Sequence, residues 1–163
     1  MQMTGEEINT EFLRYKDAAY RYAVALLHDN VTAEDLTQDL YEKMWRRRLL
    51  IRQSGFRALM MTSMRNLCLD RLRQKRLTPL DNTLFQLESP PEPNGELTEI
   101  IHKLIKALPE REREVMHLRD IEQMEYEEIA LITNSKESAV RMACSRARNR
   151  VKEELVKIIN HGL

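Results

Sequence analysis

Residues 108–152, LPEREREVMHLRDIEQMEYEEIALITNSKESAVRMACSRARNRVK, contain the pattern that decides the fold of this chain. Pro109 and Glu110 favour the start of a helix, because proline fits the first helical position and an acid suits the positive end of the helix dipole. A short second helix and a third helix from about Lys136 follow it. The turn between them contains Asn134, a residue type that tolerates a left-handed backbone. The stretch therefore predicts a helix-turn-helix.

The third helix of this stretch has an apolar stripe beside a polar one. Residues predicted to be buried recur at helical spacing, at Val140, Cys144, Ala147 and Val151. The candidate DNA-facing residues are Lys136, Ser138, Arg141, Met142, Ser145, Arg146 and Arg148. Residues 136–152 hold six basic residues against one acidic residue. A solvated basic face on an ordinary helical hairpin gives the same pattern, but the short turn and the small buried residues favour DNA binding.

The composition bounds the class of protein. The chain has 163 residues, of which 42% are hydrophobic and 32% charged, with only four glycines, and this suits one helical domain or two small ones. No apolar run approaches the ~20 residues of a membrane span, and no signal pattern opens the chain, so we expect a cytoplasmic protein without membrane insertion. Cys68 and Cys144 are predicted to be buried, reduced thiols. The sequence has no phosphate-binding loop, metal-spaced histidine pair or activated nucleophile motif, so we expect neither an enzyme nor a cofactor.

The formal net charge is zero, but the charges are strongly segregated along the chain. Residues 1–44 contain nine acids and four bases, whereas residues 46–76 contain ten bases and one acid. Residues 92–128 return to eleven acids against five bases before the basic helix begins. Such alternation suits a protein whose separate faces meet a polyanion and a basic protein partner. The alternative is that the acidic blocks merely compensate the basic ones.

Two amphipathic helices are predicted in the first acidic block. The first covers about residues 6–28 and has an aromatic-rich apolar seam. Thr32 and Asp35 match a capping box, which predicts that Thr32 caps the second helix. The outer side of that helix lines up four polar residues, Asp35, Gln38, Asp39 and Glu42. Such a row is either a solvated face or a docking surface for a basic helix, and its periodicity does not distinguish the two.

The basic block after Trp45 contains a predicted loop, residues 49–55, and a third helix, residues 56–76. Trp45 is predicted to anchor the core, and Met61, Met64, Cys68 and Leu72 are predicted to face inward. Asn66 and Arg73 lie two turns apart on the outer face and suit contacts with base edges and phosphates.

Residues 77–99 are predicted to be a flexible linker, because four prolines and Gly95 interrupt any helical pattern there. An apolar spot at residues 84–87 lies within it. The predicted architecture is all-α, with two small helical domains at residues 1–76 and 100–163 joined by this linker.

An ordered set of motifs resembles the extracytoplasmic-function sigma factors, the compact two-domain bacterial type. The motifs that resemble sigma region 2 are AEDLTQD at residues 33–39, followed by Trp45, then GFRA at 55–58, RNL at 65–67 and DRLR at 70–73. Those that resemble region 4 are LPER at 108–111, YEEIA at 126–130, VR at 140–141 and SRAR at 145–148. Asn134-Ser135 stands where this family usually has Gly-Ile, so we expect a looser turn.

The resemblance implies a role and a set of contacts for the N-terminal domain. Its acidic row would bind the clamp helices of the largest subunit of core RNA polymerase, through Asp35, Gln38, Asp39 and Glu42. Its basic face would bind the −10 promoter element, through Arg48, Arg65, Asn66 and Arg73. The loop at residues 49–55 would hold a base flipped out of the non-template strand.

The resemblance also implies that the C-terminal domain meets the polymerase flap and recognises the −35 element. The −35 contacts would be Lys136, Ser138, Arg141, Met142, Ser145, Arg146 and Arg148. An anti-sigma factor is expected as a further partner. The competing interpretation is a free-standing helix-turn-helix regulator that is not a polymerase subunit. Residues 108–152 alone would suffice for such a regulator, but it leaves residues 11–76 unexplained.

Overall fold

The computed structural model describes residues 2–77 and 95–162, which form two compact helical units. The N-terminal half contains α1 (Gly5–Leu27), α2 (Asn30–Arg46) and α3 (Phe56–Leu77), with a 3-10 turn at Arg48–Leu50. The C-terminal half contains α4 (Glu96–Lys106), α5 (Glu110–Met116), α6 (Tyr126–Ile132) and α7 (Glu137–Asn160), with a π-helical segment at His117–Ile121. Within the described ranges the only β-type pairing is an isolated bridge between Gln2 and Arg52. The predicted all-α fold is confirmed.

The last four residues of the predicted linker, 96–99, are helical. Helix α4 begins at Glu96, directly after Gly95, so residues 96–99 form a first helical turn. Glu96 and Glu99 in that turn complement the positive end of the helix dipole. The rest of the predicted linker, including the apolar spot at residues 84–87, lies almost wholly outside the described residues. The predicted domain bounds therefore stay predictions.

The helix starts depend on caps that the sequence patterns only partly indicated. Helix α1 has a capping box that we did not predict, in which the Glu7 amide donates to the Thr4 hydroxyl at 3.2 Å and the Thr4 amide donates to the Glu7 carboxylate at 2.8 Å. The capping box predicted at Thr32 is wrong, because α2 starts earlier and Asp29 is its N-cap. Asp29 Oδ1 accepts from the amides of Val31 at 3.0 Å and Thr32 at 3.2 Å.

The reason for the earlier start lies in the two residues before α2. His28 ends α1 in the left-handed conformation, with a φ of 55°, so the chain reverses one residue before Asp29. An aspartate at that position offers two acceptor oxygens to the free amides of the first turn. The Thr32 hydroxyl, instead of capping, donates to Asp29 Oδ2 at 2.5 Å.

The core of the N-terminal unit is formed where α1, α2 and α3 pack on one another. Its largest fully buried side chains are Ile8, Tyr22, Leu40, Phe56, Met60, Met61 and Met64. Two inward predictions were only partly right, since Leu72 and Trp45 are half-buried. Trp45 stacks near Tyr41 at a centroid distance of 6.2 Å, at the edge of this core. Because one side of α2 packs into this core, the opposite side of the helix is exposed.

The core of the C-terminal unit centres on the inner faces of α5 and α7. Fully buried residues include Val115, Leu118, Met124, Ile129, Val140, Cys144 and Ala147. Three of the four residues predicted to be buried on α7 are confirmed, and Val151 is half-buried. The α7 face that remains outside is the polar and basic one.

We predict that replacing the Asp29 cap destabilises the protein. Burial raises the pKa of Asp29, but hydrogen bonds from Thr32 and the charge of Lys75 outweigh it and lower that pKa below its ordinary value. Asp29→Ala should reduce the free energy of unfolding by about 1 kcal/mol at pH 7, measured by urea denaturation.

The pH dependence provides the control. A lowered folded-state pKa stabilises the fold above the ordinary carboxyl pKa, and this stability is lost as the pH falls through the folded pKa. The difference between wild type and Asp29→Ala should therefore shrink in acid, and Asp29→Asn, which keeps an acceptor, should lose less. An Asp29→Ala variant as stable as wild type would show that the cap is not Asp29.

Candidate protein-docking and nucleic-acid interfaces

The polar row of α2 lies on the outer face of the helix. Asp35, Gln38, Asp39 and Glu42 are all exposed, whereas Leu36 and Leu40 between them are buried. Each of the four side chains is thus accessible along two turns of one rigid helix. Their role as docking residues stays a prediction.

Ion pairs connect the start of α2 to the basic end of α3. The Arg71 guanidinium lies 3.3 Å from Asp35 Oδ2, and the Lys75 ammonium lies 3.7 Å from Asp29 Oδ2. The Asp35 side chain remains 59% exposed in its pair, so solvent screens the attraction and the pair contributes little to stability. A partner with a cation of its own therefore meets little resistance in replacing Arg71 at this carboxylate.

A cleft of about 490 Å³ adjoins the polar row and was not predicted from the sequence. It lies between α1 and α2, and its lining includes Phe12, Leu13, Gln38, Tyr41 and Glu42. Leu13 is 68% exposed at this site, outside the apolar seam of α1. The sequence feature that could have indicated this cleft is Leu13, a large apolar residue that lies beside the buried stripe of α1 and not within it.

The residues predicted for −10 binding lie in different environments. Asn66 and Arg73 are exposed on α3, and Arg73 is ion-paired with Asp70 one turn away. Arg65 is half-buried. Arg48 donates to the Trp45 carbonyl at 2.9 Å and its guanidinium lies 4.6 Å from the centre of the Trp45 ring. Arg48 therefore closes the end of α2 in this structure, a contact that sequence spacing did not indicate.

The turn between α6 and α7 is well tied. Asn134 has a φ of 50°, which confirms the predicted left-handed conformation. The Ser135 amide donates to the Ala130 carbonyl at 2.9 Å, and the Ser135 hydroxyl accepts from Arg111 of α5 at 2.8 Å. These hydrogen bonds tie Ser135 to α5 and α6, and the expected looser turn stays a prediction.

The outer face of α7 presents the predicted DNA-binding residues together. Lys136, Ser138, Arg141, Met142, Ser145, Arg146 and Arg148 are all exposed there, with Lys136 as the N-cap and the others within the helix. Val140, Ala143, Cys144 and Ala147 bury the opposite face. An exposed helix with donors near its N-terminus has the form of a recognition helix for the major groove.

Two of the α7 arginines are engaged with acids of the same unit. Arg148 Nε lies 3.0 Å from Asp120 Oδ2, and Arg148 Nη2 also bonds Asp120 Oδ1. The hydrogen bond to Asp120 raises the pKa of Arg148. Arg150 Nε lies 2.8 Å from Glu112 Oε2, an ion pair without hydrogen-bond geometry. These pairs fasten α7 to the preceding helices, so Arg148 has a structural contact besides its predicted role at DNA.

Comparison with known proteins gives this geometry a family. A family model described as Sigma-70 region 2 matches residues 12–78, and one described as Sigma-70, region 4 matches residues 98–151. The two matches together span most of the chain, in the order in which the two units occur. They define a sigma-factor architecture.

The chain is similar to two curated sigma factors at 27% identity. One is a probable RNA polymerase sigma factor, RfaY, of Xanthomonas campestris pv. campestris, where the match covers 83% of this chain but 37% of the relative. The other is the ECF RNA polymerase sigma factor SigM of Bacillus subtilis, where it covers 92% of this chain and 94% of the relative. The chain thus spans little more than a third of the first relative and nearly all of the second.

Solved structures agree with this assignment. The sigma factor RpoE, solved in complex with the anti-sigma factor NepR from Bartonella quintana, superposes with a TM-score of 0.77 at 28% identity and covers 92% of this chain and 96% of its own. CnrH, solved with the cytosolic domain of CnrY, shares the fold with a TM-score of 0.68 at 18% identity, covering 94% and 90%. The chain belongs to the sigma-70 family, as an extracytoplasmic-function sigma factor.

None of the helices in residues 2–77 and 95–162 is long and apolar enough to cross a membrane. No group of three or more metal-binding side chains occurs in residues 2–77 or 95–162.

We predict that Arg148 and Asp120 stabilise the fold as a pair. Both side chains are partly exposed, so Arg148→Ala should lower the free energy of unfolding by roughly 0.2–1 kcal/mol. Asp120→Ala should cost a similar amount, and the double variant should lose less than the sum of the two. Arg146→Ala, which changes an exposed arginine two residues earlier in α7, is the matched control and should leave stability unchanged. Additive losses in chemical denaturation would exclude the coupling.

Proposed function

We propose that this chain binds core RNA polymerase and directs promoter-specific initiation of transcription, and that it acts in the cytoplasm as a non-enzymatic subunit. The observation that carries the proposal is that each of the two family matches contains one exposed polar or basic helix face. The region 2 match contains the polar row of α2, and the region 4 match contains the basic outer face of α7. The relative SigM is an ECF RNA polymerase sigma factor, and the match covers 94% of its length.

In the proposed complex, the polar row of α2 binds the clamp helices of the largest polymerase subunit. Its four members are Asp35, Gln38, Asp39 and Glu42. They offer carboxylate and amide acceptors along one straight helix, which suits the cations of a basic partner helix. The weak, exposed Asp35–Arg71 pair leaves this carboxylate available for exchange.

The two DNA elements meet separate units in this proposal. The −10 element contacts α3 and its preceding loop through Arg48, Arg65, Asn66 and Arg73. The −35 element contacts α7 through Lys136, Ser138, Arg141, Met142, Ser145, Arg146 and Arg148. The loop at residues 49–55 begins within the 3-10 turn and exposes Leu49 and Leu50, apolar groups suited to packing against an unstacked base.

Further partners follow from the same reasoning. The C-terminal unit meets the polymerase flap, and an anti-sigma factor is expected to hold the chain inactive. The complex of RpoE with NepR, at 28% identity to this chain, supports the second expectation. A free-standing helix-turn-helix regulator is the weaker alternative, because the region 2 match over residues 12–78 has no role in such a protein.

The experiment that tests the proposal is reconstitution. The full chain should co-elute with core polymerase and support run-off transcription from a cognate promoter selected from a fragment library. Sequence-specific DNA binding without any association with polymerase would instead favour the free-standing regulator.

For docking, we predict that Asp39→Arg weakens core binding at least tenfold, because a charge reversal in an exposed row repels a basic partner. The same change at Asp17, an exposed acid of α1 outside the row, is the matched control and should bind normally. Titration of fluorescently labelled chain with core polymerase measures both affinities. Equal affinities would mean that the row is only a solvated face.

For the −10 element, we predict that Asn66→Ala lowers transcription from a cognate promoter without lowering core affinity. A well-placed base contact contributes ~1–3 kcal/mol, so the loss should be about five- to a hundredfold. Single-round transcription with saturating factor separates the two effects. A parallel loss of core affinity would show that this face of α3 binds protein and not DNA.

A further inference from the structure

Tyr126, the first residue of α6, lies beneath two arginine side chains. The guanidinium carbon of Arg119 is 4.3 Å from the centre of the Tyr126 ring, and that of Arg141 is 4.5 Å away. Both distances fall within the range of cation–π attraction. Of the two cations, Arg141 lies on the outer face of α7.

Arg141 is held on a second side by Glu137, one turn earlier on α7. Its Nη2 lies 2.7 Å and its Nε 3.2 Å from the same carboxylate oxygen of Glu137. This hydrogen bonding raises the pKa of Arg141, with a smaller contribution from Tyr126. An exposed arginine with several rotatable bonds is therefore held by a carboxylate and a ring at once.

The ring lies among packed neighbours. Tyr126 is half-buried, beside a core that contains the fully buried Cys144. Arg119, the other cation over the ring, donates to the Met124 carbonyl at 2.9 Å. Tyr126 is thus a half-buried support whose ring lies within reach of Arg141.

We propose that Tyr126 is a positioning residue for Arg141, and that the base preferred at one or two −35 positions depends on this contact. The inference rests on the proposed function, which places Arg141 at the −35 element. Arginine distinguishes guanine when its planar fork meets two acceptors together, and this requires a fixed guanidinium plane. A side chain already ordered in the free protein loses less freedom on binding. Tyr126 therefore contributes to sequence choice without touching a base.

The test uses holoenzyme reconstituted from core polymerase and the full chain, bound to a promoter library randomised over the −35 element. Arg141→Ala should reduce discrimination about five- to a hundredfold at one or two base pairs. Tyr126→Leu should reduce discrimination at the same base pairs about two- to fivefold, the loss expected for an exposed cation–π contact. Combining the two should give no loss beyond that of Arg141→Ala.

Three control variants isolate the contact. Tyr126→Phe keeps the ring and should retain most of the discrimination, whereas a uniform loss at every sequence would show that the hydroxyl binds a phosphate and would overturn the proposal. Arg119→Ala removes the other cation over the ring, so it should reduce discrimination at the same base pairs by less than Tyr126→Leu does. Glu137→Ala removes the carboxylate that holds Arg141 and leaves the ring in place. It therefore tests the positioning of Arg141 if Tyr126→Leu does not fold, and it should reduce discrimination at the same base pairs.

The outcomes separate the inference from the function beneath it. If Arg141→Ala alters base preference while Tyr126→Leu and Glu137→Ala leave it unchanged, the positioning role is wrong and the −35 assignment stands. If Arg141→Ala lowers binding to all sequences equally, the assignment of Arg141 fails and the inference fails with it. A wild-type holoenzyme that selects no −35 sequence would overturn the proposed function itself.

Discussion

The C-terminal unit depends on the close packing of α7 through small side chains. Val140, Ala143, Cys144 and Ala147 form its buried stripe, and larger residues there would hold the helix away from α5. Because a helix buries one stripe at a time, this packing also fixes which residues face outward. The arginines and serines of the outer face are therefore exposed because the buried stripe on the opposite side of α7 packs against the core. Helix α2 follows the same rule, with Leu36 and Leu40 inside and the polar row outside.

Ion pairs within each unit bring together acidic and basic residues from segments of opposite charge. Asp120 and Glu112 neutralise two of the α7 arginines, and Asp29 and Asp35 meet the basic end of α3. Both acidic blocks thus contain acids that compensate basic residues, as the alternative to a docking role predicts. Compensation does not extend to the whole polar row of α2, since Gln38 carries no charge to compensate. Compensation and the proposed docking role therefore overlap at Asp35, which pairs with Arg71 and also belongs to the polar row.

Periodic features could be predicted from the sequence, and features that depend on distant partners could not. The inward and outward faces of α2, α3 and α7 followed from helical spacing, which is a local property. The cap of α2 was misplaced because Asp29 and Thr32 are both good capping residues, and the left-handed His28 decides between them. The pairing of Arg148 with Asp120 joins residues 28 positions apart, so no spacing rule applied to α7 alone could have found it.

The candidate DNA surface shows the same division. Exposure of all seven predicted α7 residues was foreseeable, whereas the separate attachments of Arg141 and Arg148 depend on residues of other elements or turns. Arg48 is a comparable case on the N-terminal unit, where its stacking on Trp45 gives a predicted DNA contact a second, structural function. A basic residue in a recognised motif is therefore not by itself a free cation.

These internal pairs also bear on how strongly the chain attracts DNA. Salt at physiological ionic strength screens exposed charges beyond about 8 Å, so a polyanion responds to the charges near its contact face and not to the net charge of zero. The acids paired with Arg148, Arg150 and Arg141 lie well within 8 Å of those arginines. They therefore reduce the positive field at the outer face of α7. Lys136 and Arg146 add to it from the same exposed face. A surface whose charges are partly compensated attracts DNA only modestly. We therefore expect that a partner such as core polymerase is needed to bring both units to the promoter together.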